Sequence, residues 1–348
     1  MPANIAIKER VALEAFFNAT GGLQWPDTPA NGWLIDPCHC QWTDVVCLNE
    51  TACNDSPVIK IVRKGKHLGF KIDQYAGILV GVLPSWNGDP DQGALPQLQQ
   101  VTLTGNPELT GSLPHVWGTN LVQVNKLELV SNGLVGPLPE VWGGMVKMTD
   151  LDLRDNRIAG SLPGAWGNMT QIASLDVSDN ELNGSLPEAW GGMTGMTDLT
   201  FSGNNLNGEL PAAWGKMVNL TDLSGYGNSI NGSLPEAWGG MTALKYLGLH
   251  NNKLDGPLPK KWGQKMTKIW SLNLAQNRIK STLPETWGNM KQIGYLNLDD
   301  NRLNGPLPEE WGNMTNMRGL SLHHNSLDGT LPRSWSNLEK MTELELNK

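Results

Sequence analysis

Leucines alternate with polar residues over short stretches, and the alternation returns about every two dozen residues. In Leu151-Asp152-Leu153 both leucines fall on one side of an extended segment and Asp152 on the other, the pattern of a half-buried strand. Asn156, Ile158, Gly160, Leu162-Pro163, Trp166-Gly167 and Met169 follow before the next alternation begins at Leu175. Asparagine keeps this beat at Asn106, Asn132, Asn156, Asn180, Asn204, Asn228, Asn252, Asn277, Asn301 and Asn325, in steps of 26, 24, 24, 24, 24, 24, 25, 24 and 24 residues. Tryptophan keeps it from Trp117 to Trp335, with Trp86 as an earlier member. The template is LxLxxNxLxGxLPxxWGxMxxLxx, one short strand per unit followed by tight turns.

Each template position has a physical task. The strand leucines point inward. The asparagine is suited to bond backbone groups of adjacent units, and a lost rung should cost about 1–3 kcal/mol. Gly160 and Pro163 turn the chain and forbid a long helix, while Trp166 and Met169 fill the far side. A unit of this length cannot bury its own apolar stripe, so units must stack. The expected architecture is α/β: a right-handed solenoid of about eleven coils over 58–348. Short parallel strands line its concave face, and 3-10 or irregular segments line its convex face.

Departures from the template mark irregular places. Reading Ile61 as the second strand position leaves 18 residues to Leu79 where the template allows 5, so Arg63–Tyr75 is expected to loop out. Gly225 stands where a strand leucine belongs and predicts a thin spot in the core. Ser281 replaces the turn glycine, and Trp262–Met266 holds one extra residue.

Residues 1–57 precede the repeats. Val11, Leu13, Phe16 and Phe17 with a Gly21-Gly22 stop predict a short amphipathic helix over Ile7–Asn18 that covers the open end of the stack. Cys38, Cys40, Cys47 and Cys53 lie within 16 residues. Four cysteines allow three pairings, and their spacing is not that of common zinc pairs, which favours disulfides and an oxidising compartment. Sequons at Asn18, Asn49, Asn54, Asn168, Asn183, Asn219, Asn231 and Asn313 agree with that compartment, and none falls on the LxL strands. The charged opening is not an intact secretion signal, and the chain stops within a repeat. A fragment whose signal has been removed and whose C-terminal cap is missing is expected, with any anchor beyond Lys348.

Composition narrows the function. With 26 Lys+Arg against 34 Asp+Glu the formal charge is −8, which disfavours nucleic acid and anionic membrane. The longest apolar run, Gly77–Leu83, is far short of the ~20 residues of a membrane span. No catalytic motif appears and the six histidines are scattered, so neither catalysis nor a cofactor nor a metal is expected. Tryptophans at a fixed template position read as core rather than as sugar-stacking platforms. The basic group Lys60, Arg63, Lys64, Lys66 and Lys71 reads as a solvated loop.

Function is then left to the outward strand positions. Glu128, Asp150, Asp152, Asp176, Asp198 and Asp222, with Asp155 and Asp179 one step on, make the first half acidic. Tyr226, Tyr246, His250, Tyr295, His323 and His324 follow in the second half. Tyrosine is a low-entropy contact residue, and clustered carboxylates favour a cationic partner. Calcium among Asp150, Asp152 and Asp176 is disfavoured, because no loop supplies six to eight oxygens. The expected partner is a protein or glycan met without catalysis, outside the cell or on its surface.

The unit resembles the 24-residue leucine-rich repeat of the extracellular plant-type class, LxLxxNxLxGxIP, with Leu in place of Ile. Cys40-Gln41-Trp42-Thr43-Asp44-Val45-Val46-Cys47 resembles the CxWxGVxC cap that precedes such repeats, with Asp44 in place of Gly. That resemblance implies the pairs Cys40–Cys47 and Cys38–Cys53. The segment LPxxWGxM is similar to repeats of the trypanosomatid promastigote surface antigen family, which implies a secreted or glycolipid-anchored surface protein. A plant-like receptor ectodomain or a secreted glycosidase inhibitor is the alternative reading. Ice binding would need a regular row of Thr on a flat face, whereas these columns mix Asp, Tyr, His, Ser and Gly.

Overall fold

A computed structural model describes residues 97–346 together with Leu13, 45–47, 58–64 and 81–83. The chain divides into two compact units, Met1–Glu181 and Leu182–Lys348.

In the first unit the strands Val58–Lys64, Gln100–Thr104, Lys126–Glu128, Asp150–Asp152 and Ser174–Asp176 pair in parallel and in chain order. Val45–Cys47 adds an antiparallel strand along Val58–Ile61. The register sets Ile61, Val101, Leu127, Leu151 and Leu175 in one row. Ile61 is therefore the first strand position of its coil and not the second, and Arg63 falls opposite Leu103. This corrects the expected loop: Arg63 and Lys64 continue the strand, because five ladder positions from Lys60 to Lys64 pair with Gln100–Thr104. Lys60 belongs to that strand too, whereas Lys66 and Lys71 lie outside the described residues. In the second unit seven strands from Asp198–Thr200 to Glu343–Glu345 repeat the parallel arrangement, with Leu199, Leu223, Leu247, Leu272, Leu296, Leu320 and Leu344 in register.

Asparagine forms the ladder its spacing predicts. Asn156 Oδ1 accepts from Leu134 N at 3.2 Å, and its Nδ2 donates to Leu129 O at 2.7 Å and to Leu153 O at 3.0 Å. Asn180 does the same one coil on, from Ile158 N to Leu153 O. In the second unit Asn252, Asn277, Asn301 and Asn325 repeat both contacts. Each rung closes backbone groups that no strand neighbour reaches, which is why this buried position is polar.

Opposite the strands the chain makes one turn of 3-10 helix per coil, such as Gly164–Asn168 and Glu236–Gly240. The preceding proline, extended at φ −68° in the case of Pro163, starts each turn, and Met169 N closes it on Trp166 O. Where the spacing lengthens, the turn changes type. Lys260–Lys265 and Trp117–Asn120 are α-helical, with Met266 N reaching Trp262 O and Leu121 N reaching Trp117 O. The extra residue is absorbed without disturbing the strands.

The tryptophans are core, as expected. In the first unit Trp117, Trp142 and Trp166 stack with centroids 6.1 and 6.3 Å apart and planes within 7°. In the second the stack runs from Trp190 and Trp214 to Trp335. From Trp142 and Trp166 in the first unit and from Trp214 to Trp335 in the second, the indole N–H finds a carbonyl of the coil before it: Trp166 Nε1 donates to Pro139 O at 2.9 Å. The glycine after most of the stacked tryptophans has a cause too. A Cβ on Gly143 would sit 2.3 Å from Ala165 O, so coils meet backbone to side here and only glycine fits.

One expectation about a gap needs correction. Gly225 leaves no thin spot, since Phe201 of the preceding coil fills the space and packs edge-on against Trp214 with 5.9 Å between centroids. The coil of Ser281 is irregular, as its departure from the template suggests: left-handed φ occurs at Gly160 (+89°) and Gly256 (+70°) but not at Ser281. Leu13 is helical and fully buried, inside the helix expected there. The rest of that segment, Cys38, Cys40, Cys53 and Tyr75 lie outside the described residues, and of Cys47 only the strand backbone is described.

Candidate functional site

Outward strand positions form three columns. In the first unit the columns hold Lys126, Asp150 and Ser174; then Glu128, Asp152 and Asp176; then Arg154 and Ser178. The expected acidic surface is thus interleaved with two cations that the sequence reading passed over. Lys126 Nζ lies 2.7 Å from Glu128, and Arg154 bridges Asp152 at 3.5 Å and Asp176 at 3.4 Å. Asp150 accepts from Thr149 Oγ1 at 2.6 Å, and Asp176 accepts from Ser178 N at 2.9 Å. The position a calcium ion would need between Asp152 and Asp176 is held by a guanidinium. Burial, with repulsion from Asp176 and Glu128, pushes the Asp152 carboxyl up to about 6 against the opposing pull of the Arg154 N–H and guanidinium.

Asp155 and Asp179 stand one step beyond the three columns and are exposed. They hold left-handed backbone at φ 58° and 51°, one step before the ladder asparagine, and Asp155 accepts from Ser131 Oγ at 2.6 Å. Ser131, Asn251, Gln276, Asp300 and His324 occupy the same kind of turn. Short polar side chains tolerate that conformation best.

In the second unit the first column runs Asp198, Asp222, Tyr246, Ser271, Tyr295, Gly319 and Glu343. The third holds Tyr226, His250, Asp299 and His323. Tyr226, Tyr246 and Tyr295 are 40%, 46% and 43% exposed, an unusual show of large aromatics on one sheet face. Tyr226 stacks on His250 with centroids 4.6 Å apart. Burial lowers the His250 pKa, and its Nδ1 is buried with no hydrogen-bond partner. Tyr226, Tyr246 and His250, with Asp198, Thr200, Asp222, Ser224 and Ser271, line an open hollow of about 440 Å³. A second hollow of about 280 Å³ lies beside Tyr295, bounded by Asn273, Asn297, Ser321, Glu343 and Glu345.

The structure therefore brings Asp198, Asp222, Tyr226, Tyr246 and His250 together. Tyr295 stands two strands from Tyr246, next to a residue that the repeat template hides, Trp270. The two rings meet edge to face at 6.1 Å, and the Arg318 guanidinium lies 5.7 Å above the Trp270 ring. Trp270 is off the tryptophan beat, and that irregularity was the available signal. His323 is apart from the tyrosines: its Nδ1 lies 2.9 Å from Asp299 and 3.3 Å from Glu345.

Sequons Asn168, Asn183, Asn219, Asn231 and Asn313 are exposed and off the strand face, whereas Asn18, Asn49 and Asn54 lie outside the described residues. Among the described residues no helix is long and apolar enough to cross a membrane.

The family model for the Leucine Rich Repeat matches residues 147–169, 171–193, 292–314 and 316–338. No curated protein matches the sequence. Among solved structures the chain is similar to the PEPR1–AtPEP1 crystal structure, at 23% identity over 97% of this chain and 48% of that one, with a TM-score of 0.79. It is similar to the plant peptide hormone receptor RGFR1 in complex with RGF2, at 25% identity over 73% and 48%, with a TM-score of 0.63. A plant ice-binding protein matches at 24% identity over 94% and 97%, with a TM-score of 0.68. The chain spans about half the length of the two receptor chains. With its beat of Leu, Asn and Trp and its parallel strand face, the fold is a leucine-rich-repeat solenoid of the kind seen in those plant structures.

Proposed function

We propose that the protein is a non-catalytic extracellular recognition module whose second-unit strand face binds an extended, basic segment of a protein partner. The observation behind this is the exposed aromatic and acidic set around Tyr246. Tyr226, Tyr246 and Tyr295 offer large contact area at small entropic cost, and Asp198 and Asp222 stand in the same column to meet Lys or Arg. The unpartnered His250 Nδ1 adds a hydrogen-bonding group at the wall of the hollow. PEPR1 with AtPEP1 and RGFR1 with RGF2, both structurally similar, support a peptide-class ligand. The first unit is the poorer candidate, because Glu128, Asp152 and Asp176 are already paired with Lys126 and Arg154. The mixed strand columns argue against an ice lattice, which needs a regular row of like groups.

Selection from a displayed library of random peptides tests this reading. The wild-type chain should enrich Lys- and Arg-containing sequences, with binding that weakens as salt rises. The double substitution Tyr246→Ala with Tyr295→Ala should abolish capture while leaving melting unchanged. Equal capture by that variant would remove the tyrosine face as the binding surface.

A further inference from the structure

At the last described coils an acid pair lies beside a histidine pair. Asp299 and Asp300 occupy the third column and the left-handed turn of one coil, and His323 and His324 occupy the same two places in the next. His323 N donates to Asp299 Oδ1 at 3.0 Å, and Asp300 N donates to His323 O at 3.1 Å, which locks the four residues into a square. His324 Nδ1 lies 2.8 Å from Asp300 Oδ1, and the two imidazole centroids are 4.6 Å apart. In Asp300, His323 and His324 one donor atom from each lies within 4.8 Å of the others, and the same holds for Asp299, His323 and Glu345.

We propose that this square is a binding site for one transition-metal dication of the zinc class. Its ligands are Asp300, His323 and His324, two imidazoles and one carboxylate, a donor set that suits zinc-class ions better than calcium or magnesium. Asp299 then has a supporting task. It holds Nδ1 of His323 at 2.9 Å, which leaves Nε2 as the free donor, in the carboxylate–histidine–metal arrangement. Glu345, 3.3 Å from the same Nδ1, closes the other side. Among the described residues no Lys or Arg pairs with Asp299, Asp300 or Glu345, in contrast to the first-unit carboxylates. Three acids next to two imidazoles, with no Lys or Arg among them, form a site that a dication would balance. Ligand atoms around a tetrahedral zinc with bonds near 2.0–2.2 Å are about 3.4 Å apart, so the 2.8 Å contact must open by roughly half an ångström.

Calorimetric titration of the full chain with zinc chloride tests the site. The wild type should bind one more equivalent than His323→Ala/His324→Ala, a comparison that subtracts any zinc taken elsewhere. Asp300→Asn should weaken that equivalent by about tenfold or more; asparagine tolerates the left-handed turn, so this variant reads the site even if the double variant fails to fold. Asp299→Asn should weaken it by about ten- to a hundredfold. The same stoichiometry and affinity in the wild type and Asp300→Asn would overturn the proposal. The titration does not involve Tyr246 or Tyr295, so it stands or falls separately from the peptide-binding face.

Discussion

Phe201 occupies the space that a side chain at Gly225 would claim. A Cβ on Gly225 would lie 2.1 Å from Phe201 Cε2, although both positions are strand leucines in the template. The pair is one large residue over one absent residue, and the core stays full because the sum is preserved. Restoring the template at one place only should therefore harm the fold. Gly225→Leu should cost about 1–3 kcal/mol through overpacking, and adding Phe201→Leu should recover most of it. Denaturant midpoints of the two single variants and the double variant measure this. Additive losses would show that the two sites are independent.

The asparagine ladder makes a second prediction. Asn156→Ala would strand Leu134 N and the carbonyl of Leu129 away from water, while Leu153 O keeps the Asn180 amide. The expected loss is about 1–3 kcal/mol, seen as a lowered denaturation midpoint. An unchanged midpoint would mean that water replaces the amide.

Asp152 gives a dependence on acidity. Its folded-state pKa of about 6 lies above the usual carboxylate value, so the folded chain holds that proton more tightly than the unfolded one. This stabilisation is full below about pH 4 and disappears as pH rises through about 6. Asp152→Asn removes the effect. The stability of the variant relative to the wild type should rise by about 1–2 kcal/mol between about pH 4 and pH 7, a figure already reduced for solvent screening. Parallel pH profiles would refute the assignment.

The repeat was legible because each template residue has a single task repeated in every coil. Trp166 and Asn156 could be placed from spacing alone. Less of the surface was legible. Reading the carboxylates by residue type hid Lys126 and Arg154, although Arg154 stands at the template position of His250 and so on the same face. The same habit hid Asp299 against His323, 24 residues apart and one coil away. Ile61 was misplaced by two positions, because a long insertion follows it and only strand pairing could fix its register. Phe201 and Gly225 each looked like an isolated departure, and their compensation appears only when adjacent coils are laid side by side.

The ladder of Asn156 and Asn180 and the indole bonds of Trp142 and Trp166 have an awkward side. Every rung offers the next the same groups, so a chain threaded out of step by one whole coil would still satisfy nearly all of them. Such a frameshifted product would be a deep kinetic trap during refolding. What betrays it is the few rungs that are not interchangeable: a phenylalanine set above a leucine instead of a glycine would clash. The irregular coils act as a combination lock on an otherwise repetitive chain.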